Sequence, residues 1–303
     1  MTQMTAAQSC EQALRVLPLR LREEGRALPG AEKSRAEELR LRVGWPMSVV
    51  LEGEERSLSG PPVRREELEQ LVEIASQASL HTVLDQVRQG YLTVEGGHRI
   101  GLCGTAALRE GEIHTLRELS SANLRIARQV KGAAAPVLDR LCPGDRLADT
   151  LILAPPGLGK TTLLRDLIRS VSEGEGCIPL RVSLADERGE VAALYSGRPQ
   201  LEVGRRTDVM EGCPKAQGLM LLLRAMNPQV LAVDEITAPE DVRALMTAAG
   251  CGVTLLATAH GEGRGDLERR SLYRPLLEEG LFRFLVRICR SGEGRAYAIE
   301  ELR

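Results

Sequence analysis

Directly behind the apolar run Thr150, Leu151, Ile152 and Leu153 stands Ala154-Pro155-Pro156-Gly157-Leu158-Gly159-Lys160-Thr161-Thr162, followed by the helical pattern Leu163, Leu164, Asp166, Leu167 and Ile168. A strand that runs through a glycine-bearing loop into a helix start lets consecutive backbone N–H groups and a helix dipole converge on a polyphosphate. Pro156, Gly157, Leu158, Gly159, Lys160, Thr161 and Thr162 are the expected nucleotide-binding residues. The glycines let the backbone close around the phosphates, Lys160 reaches the outer ones, and the Thr161 hydroxyl is an expected magnesium ligand. The loop pattern G-x-x-x-x-G-K-[ST] usually begins with glycine, and here Ala154 holds that place. Lysine is also scarce: only Lys33, Lys131, Lys160 and Lys215 stand among 40 Lys and Arg residues. A lysine retained at the phosphate position suits a site that needs a compact, flexible ammonium.

A 303-residue chain with 43 % hydrophobic residues is long enough for about two packed domains. A net charge of −2 and 2 % aromatic residues argue against nucleic acid as the main partner. The seven cysteines lack a C-x-x-C pair and four histidines add no ligand-spaced cluster, so reduced thiols in a cytosolic protein are expected. Glu11 interrupts the amino terminus, which is not read as a signal peptide, and no apolar run reaches the about 18 residues that span a bilayer.

From about residue 148 short apolar strands alternate with helical segments, which predicts an α/β fold with a mostly parallel sheet covered by helices. Strands are expected over 151–154, 180–185, 230–234, 253–258 and 284–289, with helices starting near Lys160, Lys215, Pro239 and Tyr273. Residues 1–130 form an expected smaller α+β domain with a meandering sheet: helices over 11–17, 64–76 and 80–89, and strands over 38–43, 47–52, 91–94, 99–103 and 113–116. A linker containing a short helix is expected over 131–147, and residues 148–303 form the nucleotide-binding domain.

The second half of the chemistry is Leu231-Ala232-Val233-Asp234-Glu235, a buried strand ending in two carboxylates. Asp234 is the expected second magnesium-holding residue and Glu235 the general base on the attacking water; the competing reading is a cap for the next helix. If the strand ending in Thr258, Ala259 and His260 lies between those of Leu153 and Val233, Thr258 or His260 emerges beside the γ-phosphate. Asp186 and Glu187, with Arg188 and Glu190, end the strand over 180–185; they either order metal-bound water or form a surface ion-pair group. Arg198, Arg205 and Arg206 lie in a glycine-punctuated stretch and are candidates to stabilise transition-state charge, from their own subunit or a neighbour's.

These segments, together with Cys213-Pro214-Lys215-Ala216, residues 97–106 and residues 120–128, resemble the stage III sporulation protein AA family. That family is similar to the type II/IV secretion ATPases, whose motor domain is RecA-like. The resemblance implies a Mg2+-dependent ATPase forming a homo-oligomer, a hexameric ring with ATP between subunits. Its expected setting is the mother-cell cytoplasm, held to the membrane through membrane proteins of the mother-cell-to-forespore channel. It also implies an acidic box at Asp186 and Glu187, a histidine box at His260, and a nucleotide-closing arginine at Arg125 or Arg128. Ala154, Gly189 in place of a serine, and the lack of a tetracysteine zinc motif depart from the pattern. A nucleotide-dependent assembly scaffold with little turnover is the alternative. A GTPase switch is disfavoured, since neither Asn123 nor Asn227 lies in an N-K-x-D pattern.

Overall fold

The computed structural model describes residues 4–76, 90–109, 111–292 and 294–303. They divide into two compact units, Met1–Gln129 with Ala193–Gln200, and Val130–Ala192 with Leu201–Arg303. The expected helix over 80–89 lies outside the described residues.

The first unit opens with α1 (Ala6–Leu14), α2 (Leu19–Arg26) and α3 (Gly30–Arg35). A capping box starts α1: Gln8 N–H donates to Thr5 Oγ1 and Thr5 N–H to Gln8 Oε1, at 3.2 and 2.7 Å. Then come β1 (Ala36–Arg42), β2 (Ser48–Leu51), β3 (Glu54–Ser57), α4 (Arg65–Ser76), β4 (Tyr91–Val94), β5 (His98–Arg109) and β6 (Glu112–Arg125). The six strands form one antiparallel sheet in the order β3-β2-β1-β6-β5-β4. Register places Leu39 opposite Val49 and Leu124, and Leu124 opposite Ile100, so one face is apolar. That face packs with Leu14, Leu17, Leu68 and Leu71 into the unit's core. The strand expected over 113–116 is the beginning of the much longer β6.

The stretch expected as a linker is part of the second unit's core. Its helix α5 (Ala135–Leu141) buries Val137, Leu138 and Leu141, and the Ala134 N–H donates to Asp166 Oδ2 at 2.8 Å. There follow β7 (Thr150–Ala154), α6 (Lys160–Glu173), β8 (Val182–Asp186) and the hairpin β9 (Leu194–Tyr195) and β10 (Arg198–Pro199), which belongs to the first unit. The chain continues as β11 (Thr207–Glu211), α7 (Lys215–Ala225), β12 (Val230–Val233), α8 (Pro239–Gly250), β13 (Thr254–His260), α9 (Arg264–Arg269), α10 (Arg274–Glu278), β14 (Phe284–Ser291) and β15 (Gly294–Glu301). The sheet order is β11-β8-β12-β13-β7-β14-β15, parallel throughout except for the antiparallel edge strand β15. Alternate residues of β7 serve two cores: Ile152 and Ala154 pack with α6, Leu151 and Leu153 with Leu219, Leu222, Val242 and Leu245 of α7 and α8. Burial on both faces explains why β12, and β7 after Thr150, read as unbroken apolar runs. Among the described residues no helix is long and apolar enough to cross a membrane.

Candidate functional site at the carboxyl ends of the parallel strands

Strand β13 lies between β12 and β7, so the ends of these three strands bring Asp234, Glu235, Thr258 and His260 to the loop that opens α6. Gly157 and Gly159 take left-handed backbone angles, φ 77° and 93°, which glycine adopts at no steric cost. The chain thereby turns so that α6 begins at Lys160.

Lys160 is only 8 % exposed, and its ammonium donates to the carbonyls of Ala154 and Pro155, at 3.1 and 3.3 Å, and to His260 Nδ1 at 2.9 Å. Because an ammonium is solely a donor, Nδ1 accepts, which puts the imidazole proton on Nε2. Nε2 in turn stands 2.7 Å from Glu235 Oε1. Lysine, imidazole and glutamate thus form one connected chain. Burial pushes the Lys160 pKa down, while Glu235 and Asp234 pull it up from a distance.

The metal-holding residues expected from sequence are in contact: Thr161 Oγ1 donates to Asp234 Oδ2 at 2.8 Å. Thr258 Oγ1 donates to Asp234 Oδ1 at 2.7 Å and accepts the Glu235 N–H at 2.7 Å. Burial raises the Asp234 pKa, opposed by these two hydroxyls. Glu235 takes a left-handed φ of 59°, a conformation costing a non-glycine residue about 1 kcal/mol. That turn brings its carboxylate to His260. Thr258 and His260, alternatives in the sequence, both belong to the site.

Asp186 and Glu187 have separate partners. Asp186, 1 % exposed, accepts the backbone N–H groups of Glu190, Val191 and Ala192 at 2.9, 3.0 and 2.8 Å, and so anchors the turn after β8. Burial raises its pKa against those hydrogen bonds. Glu187 pairs with Lys215 at 2.6 Å. Sequence reasoning passed over Arg165, one turn beyond Thr161, which is buried and donates to the carbonyls of Val191 and Glu190, both at 2.6 Å. Its signal was an arginine within the apolar pattern of α6.

Arg205 and Arg206 are not brought to the loop of their own chain. Arg205 pairs with Glu173 at 2.9 Å, and the Arg206 N–H donates to Ser172 Oγ at 2.7 Å. These contacts lie at the carboxyl-terminal end of α6, about 20 Å from Lys160 at 1.5 Å per residue. Arg198, Arg125 and Arg128 belong to the first unit, where Arg125 pairs with Glu38 at 3.4 Å and Arg128 donates to the Ala36 carbonyl at 2.7 Å.

The donor set suits a magnesium polyphosphate. A buried ammonium makes no ion pair with a carboxylate among the described residues, and a hydroxyl and a buried carboxylate stand together one residue further along the helix. The nearest cation to the loop therefore has no carboxylate counter-ion in contact among the described residues.

Solved structures with this fold include the ATPase DotB of Legionella pneumophila, with TM-score 0.57 and 17 % identity over 99 % of this chain and 81 % of that one. The pilus retraction motor PilT with bound ADP gives TM-score 0.57 and 16 % identity, covering 88 % of this chain and 78 % of that one. Both confirm an α/β RecA-like architecture preceded by a smaller α+β part. Stage III sporulation protein AA of Bacillus subtilis (strain 168) is 39 % identical over 268 residues, 88 % of this chain and 87 % of that protein. An uncharacterized protein, ycf45, of Porphyra purpurea is 32 % identical over 155 residues, half of this chain and a quarter of that one. Residues 7–302 match the family described as Sporulation stage III, protein AA, and the chain belongs to that family.

Proposed function

We propose that the chain is a Mg2+-dependent ATPase acting as the motor of a secretion-like channel complex, in a ring of identical subunits. The observation that carries this reading is the meeting of Lys160, Thr161, Asp234, Glu235 and His260 at the ends of adjacent parallel strands. Lys160 and the loop N–H groups would hold the β- and γ-phosphates, with Thr161 and Asp234 holding the metal. Bound magnesium would supply charge neutralisation on the phosphate oxygens. Glu235 would take the proton of the attacking water, and His260 would orient Glu235 through its Nε2 proton.

Placement at the mother-cell-to-forespore channel, in the mother-cell cytoplasm and attached through membrane proteins, rests on membership of a sporulation family. The hexameric ring rests on the likeness to secretion ATPases. Asp186 and Glu187 act at one remove in this reading, by fixing the turn that Arg165 ties to α6. Arg205 and Arg206 would reach a phosphate only from a neighbouring subunit.

A scaffold with little turnover is favoured by one feature: His260 already engages the carboxylate that must accept a proton. Steady-state phosphate release separates the two readings. The parent protein should turn over ATP, and Glu235→Gln should lower turnover at least a hundredfold while Mg-ATP still binds. An unchanged rate in that variant would overturn the assignment of Glu235, and a parent with no turnover beside its membrane partners would leave the scaffold.

A further inference from the structure

Strands β14 and β15 form a two-stranded ribbon whose tip passes the end of β7. Arg287 is level with Leu153, so residues 289–291 extend three positions beyond Ala154, about 10 Å at 3.3 Å per residue. The ribbon therefore runs alongside the phosphate-binding loop. Its registers place Val286 opposite Ile299, Ile288 opposite Tyr297, and Arg290 opposite Arg295. Val286, Ile288, Tyr297 and Ile299 all pack into the core that contains Leu163, Leu164 and Leu158 of the loop and α6. Alternation then puts Arg290 and Arg295 on that same face, one step past the core, toward the loop.

The loop itself records the contact. A Cβ placed on Gly159 would stand 2.8 Å from Nη1, 2.9 Å from Cζ and 3.3 Å from Nη2 of Arg295. The guanidinium lies against the glycine immediately before Lys160. Two like charges directly opposite each other on a ribbon are destabilising. Among the described residues, neither guanidinium has a hydrogen bond or ion pair to offset that repulsion. By contrast Arg283, just before β14, meets Glu301 at 2.9 Å, and Arg287 donates to the Glu262 carbonyl at 3.5 Å. An arginine pair with no counter-charge among the described residues, one member of which rests on the loop glycine, calls for an anion there.

We infer that Arg290 and Arg295 form a second, same-chain phosphate clamp that closes over a nucleotide held by the 154–162 loop, from the side opposite Asp234. Strand order places it there: β14 flanks β7 on one side and β13, then β12, on the other. The inference rests on the nucleotide-binding reading above. It adds a specificity for phosphorylated nucleosides over the nucleoside alone, because guanidinium groups pair with phosphate oxygens in a forked geometry.

Calorimetric titration of the full chain with Mg-ATP, Mg-ADP and adenosine tests it. Both side chains are exposed and their like charges repel, so Arg295→Ala and Arg290→Ala variants should melt no lower than the parent. Arg295→Ala should weaken Mg-ATP at least tenfold, the double variant further, and Arg295→Lys should restore only part of the loss. The salt dependence of Mg-ATP binding should flatten in the double variant. Lys160→Ala is the control for the site itself. If Lys160→Ala abolishes binding while the double variant binds Mg-ATP like the parent, the clamp is refuted and the nucleotide site stands. If the parent binds neither nucleotide, both readings fall.

Discussion

In the first unit Glu67 is 2 % exposed, yet both its oxygens meet the guanidinium of Arg20, at 2.6 and 2.7 Å, and one accepts the Arg64 N–H at 2.9 Å. In the second unit Lys160 is comparably buried, and its partners are two carbonyls and an imidazole. Pairing with Arg20 holds Glu67 down at about 2, well below the usual carboxylate range, whereas burial moves Lys160 and Asp234 toward their neutral forms. A buried charge that is fully satisfied inside the protein serves the fold. One that is left short of a counter-ion, at the open end of a parallel sheet, is arranged for something that arrives from outside. The antiparallel sheet of the first unit has no equivalent place, because its strand ends alternate in direction and no set of carboxyl termini gathers at one edge.

Three positions probe that contrast. The largest effect is expected at Asp186, a buried carboxylate of the second unit whose oxygens are taken up by backbone N–H groups rather than by a cation. Asp186→Ala leaves two buried N–H groups and a part-buried one without their acceptor and should cost about 4 kcal/mol. Asp186→Asn, which retains one acceptor oxygen, should cost less. If Asp186→Ala unfolds at the parent's denaturant midpoint but loses ATP turnover, the residue acts on the metal and not on the turn.

Next comes Arg20→Met, which strands Glu67 in the interior and should cost about 3 kcal/mol in urea unfolding. ATP affinity of the folded protein should stay unchanged. A loss of affinity in that variant would blur the division between a unit that stores charge for stability and one that exposes it for chemistry.

The smallest effect is a pH dependence. His98 is wholly buried, its Nδ1 accepts the Ala127 N–H at 3.0 Å, and burial pushes its pKa down from 6.5 to about 4. Between those values the unfolded chain binds more protons than the folded one, so stability is complete above about 6.5 and declines as the pH falls toward 4. By pH 5 the loss should be about 2 kcal/mol. Chemical unfolding at pH 7 and pH 5 measures it, and His98→Gln should flatten the dependence. A variant with the parent's pH slope would assign the loss to other groups.

Much of the site is legible in the chain because each part lies at the carboxyl end of a strand with a buried apolar interior. The runs ending at Ala154, Asp234 and His260 carry both their fold and their chemistry in one stretch. The relation of Lys160 to His260 is different: it depends on β13 inserting between two strands that are distant in sequence. Residues 207–211 illustrate another limit. Thr-Asp-Val-Met-Glu is half-buried along its length and has neither apolar alternation nor an apolar run, yet it pairs in parallel with β8. The stretch over 131–147 reads as a linker from its glycine and alanines, but Val137, Leu138 and Leu141 are enough to seat it in the core. The turn role of Asp186 was out of reach for a similar reason, since its three partners follow a glycine that bends the chain back. The ribbon arginines were equally hidden, because their approach to Gly159 comes from a register that tertiary pairing alone establishes.

Thr258 donates its hydroxyl proton to Asp234 and receives the Glu235 amide with the same oxygen. A single atom on a neighbouring strand is therefore the common pivot of two adjacent acidic residues for which different duties are proposed. Neither can be repositioned by itself. Any slippage of β13 along β12 transmits to both at once, so under the roles proposed for them a pull on this strand would retune cation grip and water activation in step, like two levers on one axle.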